Sequence, residues 1–156
     1  MRSERFKKIA ENTDILSFYS QFLLGKLKEL QLGLEISALL DEVNGKKGYI
    51  ATTDVDKLIR IDNDYRIGFE MKFSSDRFIF MKYSHYNSLK LISEKLGADI
   101  YVITKEGDSY FMKKIEDGSF NFKTNNYGKT TARIKIDDMQ KMGKEEFKEF
   151  LAGYVR

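Results

Sequence analysis

Glu70 and Lys72 stand two residues apart in a run where Ile67, Phe69, Met71 and Phe73 alternate with Arg66, Gly68, Glu70 and Lys72. A period of two is the signature of a strand. The acid and the ammonium therefore leave the same face, and the apolar residues point to the other, toward a core. Upstream, Asp54 and Asp56 occur in Thr-Thr-Asp-Val-Asp, followed by the short apolar run around Leu58-Ile59. If Lys57 to Ile61 is a strand and Asp62-Asn63-Asp64 a turn, the two strands form a hairpin in which Asp56 approaches Glu70 and Lys72. Two carboxylates converging with a lysine suit hydrolysis of a phosphodiester. Hard oxygen ligands take Mg²⁺ or Mn²⁺, which keeps several of its waters. Such an ion polarises the phosphate and lowers the pKa of a bound water. The lysine orients or activates that water, or offsets charge in the transition state. The backbone carbonyl of Met71 faces the rim of such a site and can complete the metal shell. Glu-x-Lys is also common as an ion pair on solvated sheet faces, so the chemical reading leans on the aspartates and the hairpin.

Around this trio the sequence lays out mixed elements. Thr13 or Asp14 can cap a helix in which Ile15, Phe18, Tyr19, Phe22, Leu23, Leu27 and Leu30 recur at helical spacing, continued by Leu34, Ile36, Leu39 and Leu40 with a break near Gly33. Asn44-Gly45 is a turn signal. Short strands are expected at 49–52, 57–61 and 65–73, and the apolar segment 78–81 reads as a short strand or a covering loop. Ser84 is a plausible N-cap for a second helix with Leu89, Ile92 and Leu96 on its buried face and Gly97 at its C-cap. A buried strand follows at 99–104, a turn at Glu106-Gly107-Asp108, a strand at 109–115, edge strands at 120–123 and 132–136, and a last amphipathic helix at 144–154 with Phe147, Phe150 and Leu151 facing in. Helix, three strands, helix and strand make an α/β fold, a mixed central sheet flanked by helices. The 156 residues are the length of one domain, its core at about 14–104 and additions at 105–156.

The constellation of Asp56 with Phe69-Glu70-Met71-Lys72 resembles the active-site motif of the PD-(D/E)xK nuclease superfamily, which includes restriction enzymes and archaeal Holliday junction resolvases. In that family an aspartate opens one strand, a carboxylate-x-lysine follows on the next, and a helix packs behind. The likeness covers about 33–104, with Val55 where the motif has proline. It implies a restriction-endonuclease-like fold, a Mg²⁺- or Mn²⁺-dependent DNA endonuclease, Asp56 and Glu70 as metal ligands and Lys72 as the catalytic lysine. Many relatives add a glutamate from the first helix. Glu29, Glu35 and Glu42 are the candidates here, with Glu35 preferred, and Asp54 competes for a place in the metal shell. Where some relatives carry a glutamine at the start of the following helix, this chain has His85, a candidate for contact with substrate. Ser74, Ser75 and Arg77, in the polar loop after the motif, are further candidates for contact with the DNA backbone. A junction resolvase and a homing or restriction-like endonuclease are the two subtypes implied. Both usually cut two strands, so a homodimer or higher homo-oligomer is expected.

Composition narrows the field. No cysteine is present, which excludes disulfides, thiolate metal sites and cysteine catalysis, and one histidine does not make a usual zinc site. Neither a glycine-rich phosphate loop nor a nucleophile elbow occurs. Net charge is +3, mildly basic, which fits DNA as partner without demanding it. Without an apolar run long enough for a membrane span or an apolar-centred leader, a cytoplasmic protein with no membrane partner is expected. Lys46, Lys47, Lys82 and Lys90 can line a phosphate track. Tyr83, Tyr86, Phe78 and Phe80 can stack on bases, with core packing claiming at least half of them. The alternative to an enzyme is a non-catalytic nucleic-acid-binding module that keeps the nuclease-like fold, or a structural protein in which Glu70 and Lys72 form only an ion pair.

Overall fold

A computed structural model describes residues 13–44, 50–53 and 57–156. Asp54, Asp56, Lys46 and Lys47 lie outside the described residues, so the expectations placed on them are not met or failed by it. Helix α1 spans Thr13–Asn44. Strands β1 (Ile50–Thr53), β2 (Lys57–Ile61) and β3 (Asp64–Met71) follow. Then come β4 (Phe78–Lys82), α2 (Tyr83–Leu96), β5 (Asp99–Glu106) and β6 (Ser109–Lys114). The chain ends with β7 (Phe122–Thr124), β8 (Thr130–Lys135), a 3₁₀ turn at Ile136–Asp138, β9 (Gln140–Met142) and α3 (Lys144–Val155). The result is an α/β fold with a mixed sheet.

The main sheet has six strands in the order β1-β2-β3-β5-β6-β9. Among the described strands only β3 and β5 run parallel; the other pairs are antiparallel. The expected hairpin of β2 and β3 is present, with Lys57 opposite Phe69 and Asp62 at positive φ in the turn. Parallel neighbours need a crossover, and β4 with α2 supplies it. Strand alternation then sorts the side chains into two cores. On one face Ile59, Ile67, Phe69, Ile103, Tyr110 and Met112 pack with Leu32, Ile36, Leu39 and Leu40 of α1 and with Phe147 and Leu151 of α3. On the other face Val102, Ile100 and Phe111 meet Tyr86 and Leu89 of α2 and a second, three-stranded sheet in the order β4-β8-β7.

Several expectations are corrected. Helix α1 runs unbroken through Gly33. An interior glycine costs a helix about 1 kcal/mol, and the burial of Leu32, Ile36, Leu39 and Leu40 against the sheet exceeds that several-fold. The face of α1 that carries Phe22, Leu23, Leu27 and Leu30 is exposed, not buried. Of the two readings of residues 78–81, the short strand holds, while β8 lies at the centre of the small sheet and not at its edge. Ser84 does not cap α2, whose N-cap is Lys82 without a side-chain cap bond, while Gly97 closes the helix at φ 65° as expected. Ile92 and Leu96 of α2 are exposed, and Tyr86 takes the buried position with Leu89. Strand β9 was not expected.

Phe147 is fully buried, its ring stacked on Tyr110 at 4.4 Å and edge-on to Phe69 at 5.9 Å. It ties α3 to β3 and β6. Phe147→Ala is expected to lower the unfolding free energy by about 3–5 kcal/mol, read as a lower urea midpoint at unchanged slope.

Candidate active site at the end of the central strand

The site is built on the last residues of β3. Glu70 points to the α2 face and is 4% exposed, beside Val102 of β5 in the parallel register. Burying an ionised carboxylate is costly unless a cation meets it. Lys72, two residues on and therefore on the same face, brings Nζ to 3.1 Å from Glu70 Oε1. His85 brings Nε2 to 3.5 Å from the same oxygen. It reaches there because β4 passes directly into α2, so that the first turn of the helix stands over Glu70. Three residues singled out from sequence thus converge on one oxygen. Met71 alternates to the opposite face, where its side chain packs on the α1 core. The N–H of Lys72 donates to the Ile103 carbonyl at 2.9 Å, which extends the β3–β5 ladder to the lysine and fixes its backbone. Phe73 continues past it to lie against Gly25 of α1. A Cβ on Gly25 would stand 2.8 Å from the ring, so the glycine allows the helix to approach the strand end.

A cavity of about 520 Å³ opens at that end, walled by Lys28, Gln31 and Glu35 of α1, by Lys72, and by Lys105 and Glu106 of β5. Of the three glutamates proposed on the first helix, Glu35 is the one in this wall. Glu29 pairs with Lys26 and Glu42 with Lys148. Glu35 is held by Lys105 Nζ at 2.8 and 2.9 Å and accepts a hydrogen bond from the Tyr110 hydroxyl at 2.5 Å. Partial burial works against its charge, but the Lys105 and Tyr110 hydrogen bonds prevail and hold its carboxyl below the usual range. Burial and the neighbouring Glu35 push the Tyr110 hydroxyl well above its ordinary value, so it remains a donor. Lys28 lies over the Phe73 ring at 5.1 Å.

The loop after the motif is arranged differently from a free phosphate-binding loop. Ser75 and Phe78 exchange backbone hydrogen bonds at 2.9 and 3.0 Å, closing a tight turn with Asp76 and Arg77 both at positive φ, the primed type that suits hairpins. Just before it Ser74 donates to Glu106 Oε1 at 2.6 Å, and within it the Arg77 guanidinium is divided between Glu106 and Asp137. Ser75 is exposed. As placed, Ser74 and Arg77 hold Glu106 at the cavity wall.

The remaining candidates separate. Tyr86 is buried and donates its hydroxyl to the Glu116 carbonyl. Phe78 is half-buried under the Arg133 guanidinium at 3.5 Å. Phe80 and Tyr83 stay exposed. Lys90 is paired with Asp117 and Glu94, while Lys82 is exposed. Lys105, Tyr110, Lys28 and Glu106 were not found from sequence. Alternation along 99–106 places Lys105 on the face of Ile103, the signal that was available; the pairing of that face with Glu35 is tertiary.

Among the described residues no three His, Cys, Asp or Glu side chains converge as a metal cluster. Glu70 supplies one buried hard carboxylate with His85 beside it, and a Mg²⁺-type site there needs a second carboxylate, the place assigned to Asp56. No family model and no curated protein matches this chain.

A titration tests the Glu35 arrangement. The depressed carboxyl of Glu35 contributes stability at pH values above its unfolded pKa, and that contribution falls away as pH drops through the folded value. Replacing Lys105 with Met is expected to raise the Glu35 midpoint, read by carboxyl-carbon NMR, and to move the loss of stability on acidification to higher pH. An unchanged midpoint would show that Lys105 does not set it.

Proposed function

We propose that the protein is a Mg²⁺- or Mn²⁺-dependent DNA endonuclease of the PD-(D/E)xK kind on a restriction-endonuclease-like architecture. The observation that carries the reading is the meeting of Glu70, Lys72 and His85 on one carboxylate oxygen at the end of a central strand, beside a cavity lined by further lysines. In this reading Asp56, Glu70 and the Met71 carbonyl hold the ion, with Glu35 at the far wall. When bound, the ion polarises the scissile phosphate and supplies a water of lowered pKa.

The chain's own residues do the rest. Lys72, fixed against Glu70, orients the attacking water or neutralises charge building on the phosphate oxygens. The water gives up a proton to solvent as its oxygen bonds to phosphorus, the bond to one ester oxygen breaks, and a solvent proton completes the leaving hydroxyl. His85 contacts a phosphate oxygen. Lys28 and Lys105 draw the backbone into the cavity electrostatically. A junction resolvase and a homing or restriction-like enzyme both fit, acting as a homodimer with two sites. A non-catalytic DNA-binding module has one observation in its favour: the oxygens of Glu35 and one oxygen of Glu70 already meet lysine ammonium groups, which a metal must displace.

Incubation with supercoiled plasmid and a labelled four-way junction decides between them. The wild type is expected to cleave with Mg²⁺ or Mn²⁺ and not with EDTA. Glu70→Ala, Asp56→Asn and Lys72→Ala are each expected to lose on the order of 100-fold or more in rate while still binding DNA with a steep salt dependence. Binding without cleavage by folded wild type under every metal would reject the enzyme in favour of the binding module.

A further inference from the structure

The long helix α1 has two apolar faces, and only one is packed among the described residues. Its inner stripe, Leu32, Ile36, Leu39 and Leu40, packs on the sheet. On the outside Leu23, Leu27, Leu30 and Leu34 are 65, 51, 68 and 70% exposed. At about 100° per residue these four fall within an arc of about 60° on the side of the helix away from Leu32 and Ile36. Phe22 and Leu24 are also exposed but lie about a quarter turn or more to either side of this stripe. Four large apolar side chains aligned on one stretch of helix exceed the scattered surface leucines of a monomer.

We propose that this face is where a second copy of the same chain docks, helix against helix. The spacing of the four leucines is four, three, four, the a/d pattern of a coiled-coil seam, which interlocks with another seam of the same kind. The pattern is also its own mirror about the midpoint between Lys28 and Glu29, so two copies match in either direction. Ser20 and Ser37 occupy the next positions of the repeat on each side, which limits the seam to these four layers. The flanks carry little that would repel a copy. Lys26 is paired with Glu29 on its own helix, and Gln31 and Ala38 are uncharged. The four leucines expose on the order of 450 Å² per chain, so a pair buries on the order of 900 Å² in all, the size of a weak, reversible pair. Lys28, Gln31 and Glu35 lie on the side of α1 between its two faces and line the cavity, so pairing sets one cavity beside each flank of the seam. The proposal rests on the helix face and not on the nuclease reading, though two copies supply the two sites such an enzyme uses.

Sedimentation equilibrium and light scattering of the full chain test it. The wild type is expected at twice the single-chain mass of 18.2 kDa, and Leu27→Glu/Leu30→Glu at the single-chain mass, with the dissociation constant raised at least about 100-fold. Because both leucines are outside the cores, the double variant is expected to keep the wild-type far-UV spectrum and a cooperative thermal transition. Glu70→Ala is expected to remain dimeric whether or not the protein cleaves DNA, which separates this proposal from the catalytic one. A wild type that stays at single-chain mass at submillimolar concentration would overturn it, as would a double variant that still dimerises. Leucine-dependent binding of a monomeric wild type to anionic phospholipid vesicles would overturn it in favour of a membrane surface.

Discussion

A carboxylate withdrawn from water at the end of a central strand is the constraint around which this molecule is arranged. An unpaired charge in that position costs several kcal/mol. Glu70 meets the cost through Lys72, which the two-residue period of β3 delivers to the same face, and through His85, which α2 delivers from above. Each contact depends on a larger feature. Lys72 is fixed because β3 continues its ladder with β5. His85 arrives because the crossover between those parallel strands passes through β4 and begins α2 at the right place. A chain that needed only stability would have placed an apolar residue at position 70, as it did at Ile67, Phe69 and Val102. Keeping an acid there, with Lys72 against it, is a local cost that the packing of the sheet does not itself require.

The cavity wall repeats the same economy of charge. Glu35 meets Lys105 and Tyr110, and Glu106 meets Ser74 and Arg77. These contacts link α1 to β5 and β6, and the turn after β3 to β5, so the walls are fastened to one another around the end of the sheet. The pairs fix the lysines as much as the acids: Lys105 is held by Glu35 and Lys72 by Glu70, while Lys28 lies over the Phe73 ring.

Much of this was legible in the residues. Alternation identified β3, the faces of Glu70 and Lys72, and the hairpin with β2, because side-chain period follows directly from backbone geometry. Helix spacing identified α1, α2 and α3. What failed were features set by tertiary partners. The periodicity of α1 revealed an apolar stripe without telling which stripe met the sheet, since the helix carries leucines on two sides. Gly33 looked like a break because local propensity was weighed without the packing that overrides it. Ile92 and Leu96 looked buried for the same reason, and Arg77 looked free because Asp137 lies sixty positions away in the chain. Glu35 was distinguishable from Glu29 and Glu42 only by its place over the sheet end.

The two faces of α1 join the problems of fold and assembly. Its inner face and Gly25 seat the helix against β3 and Phe73, and so determine where Glu35 and Lys28 stand relative to Lys72. Its outer face is apolar for four heptad layers with no packing partner among the described residues. Hydrophobic burial within the described chain does not require those leucines, and their exposure to water is unfavourable. Helix packing within one copy orients the site-bearing residues, and the same rigid rod offers its other side for a copy to pack on. In a pair formed through that face, a shift of the rod would carry Lys28 and Glu35 with it, because helices move as units and close-packed cores do not absorb displacement locally. The position of the cavity on the flank of α1 would then tie the proposed pairing to where Lys28 and Glu35 stand relative to Lys72.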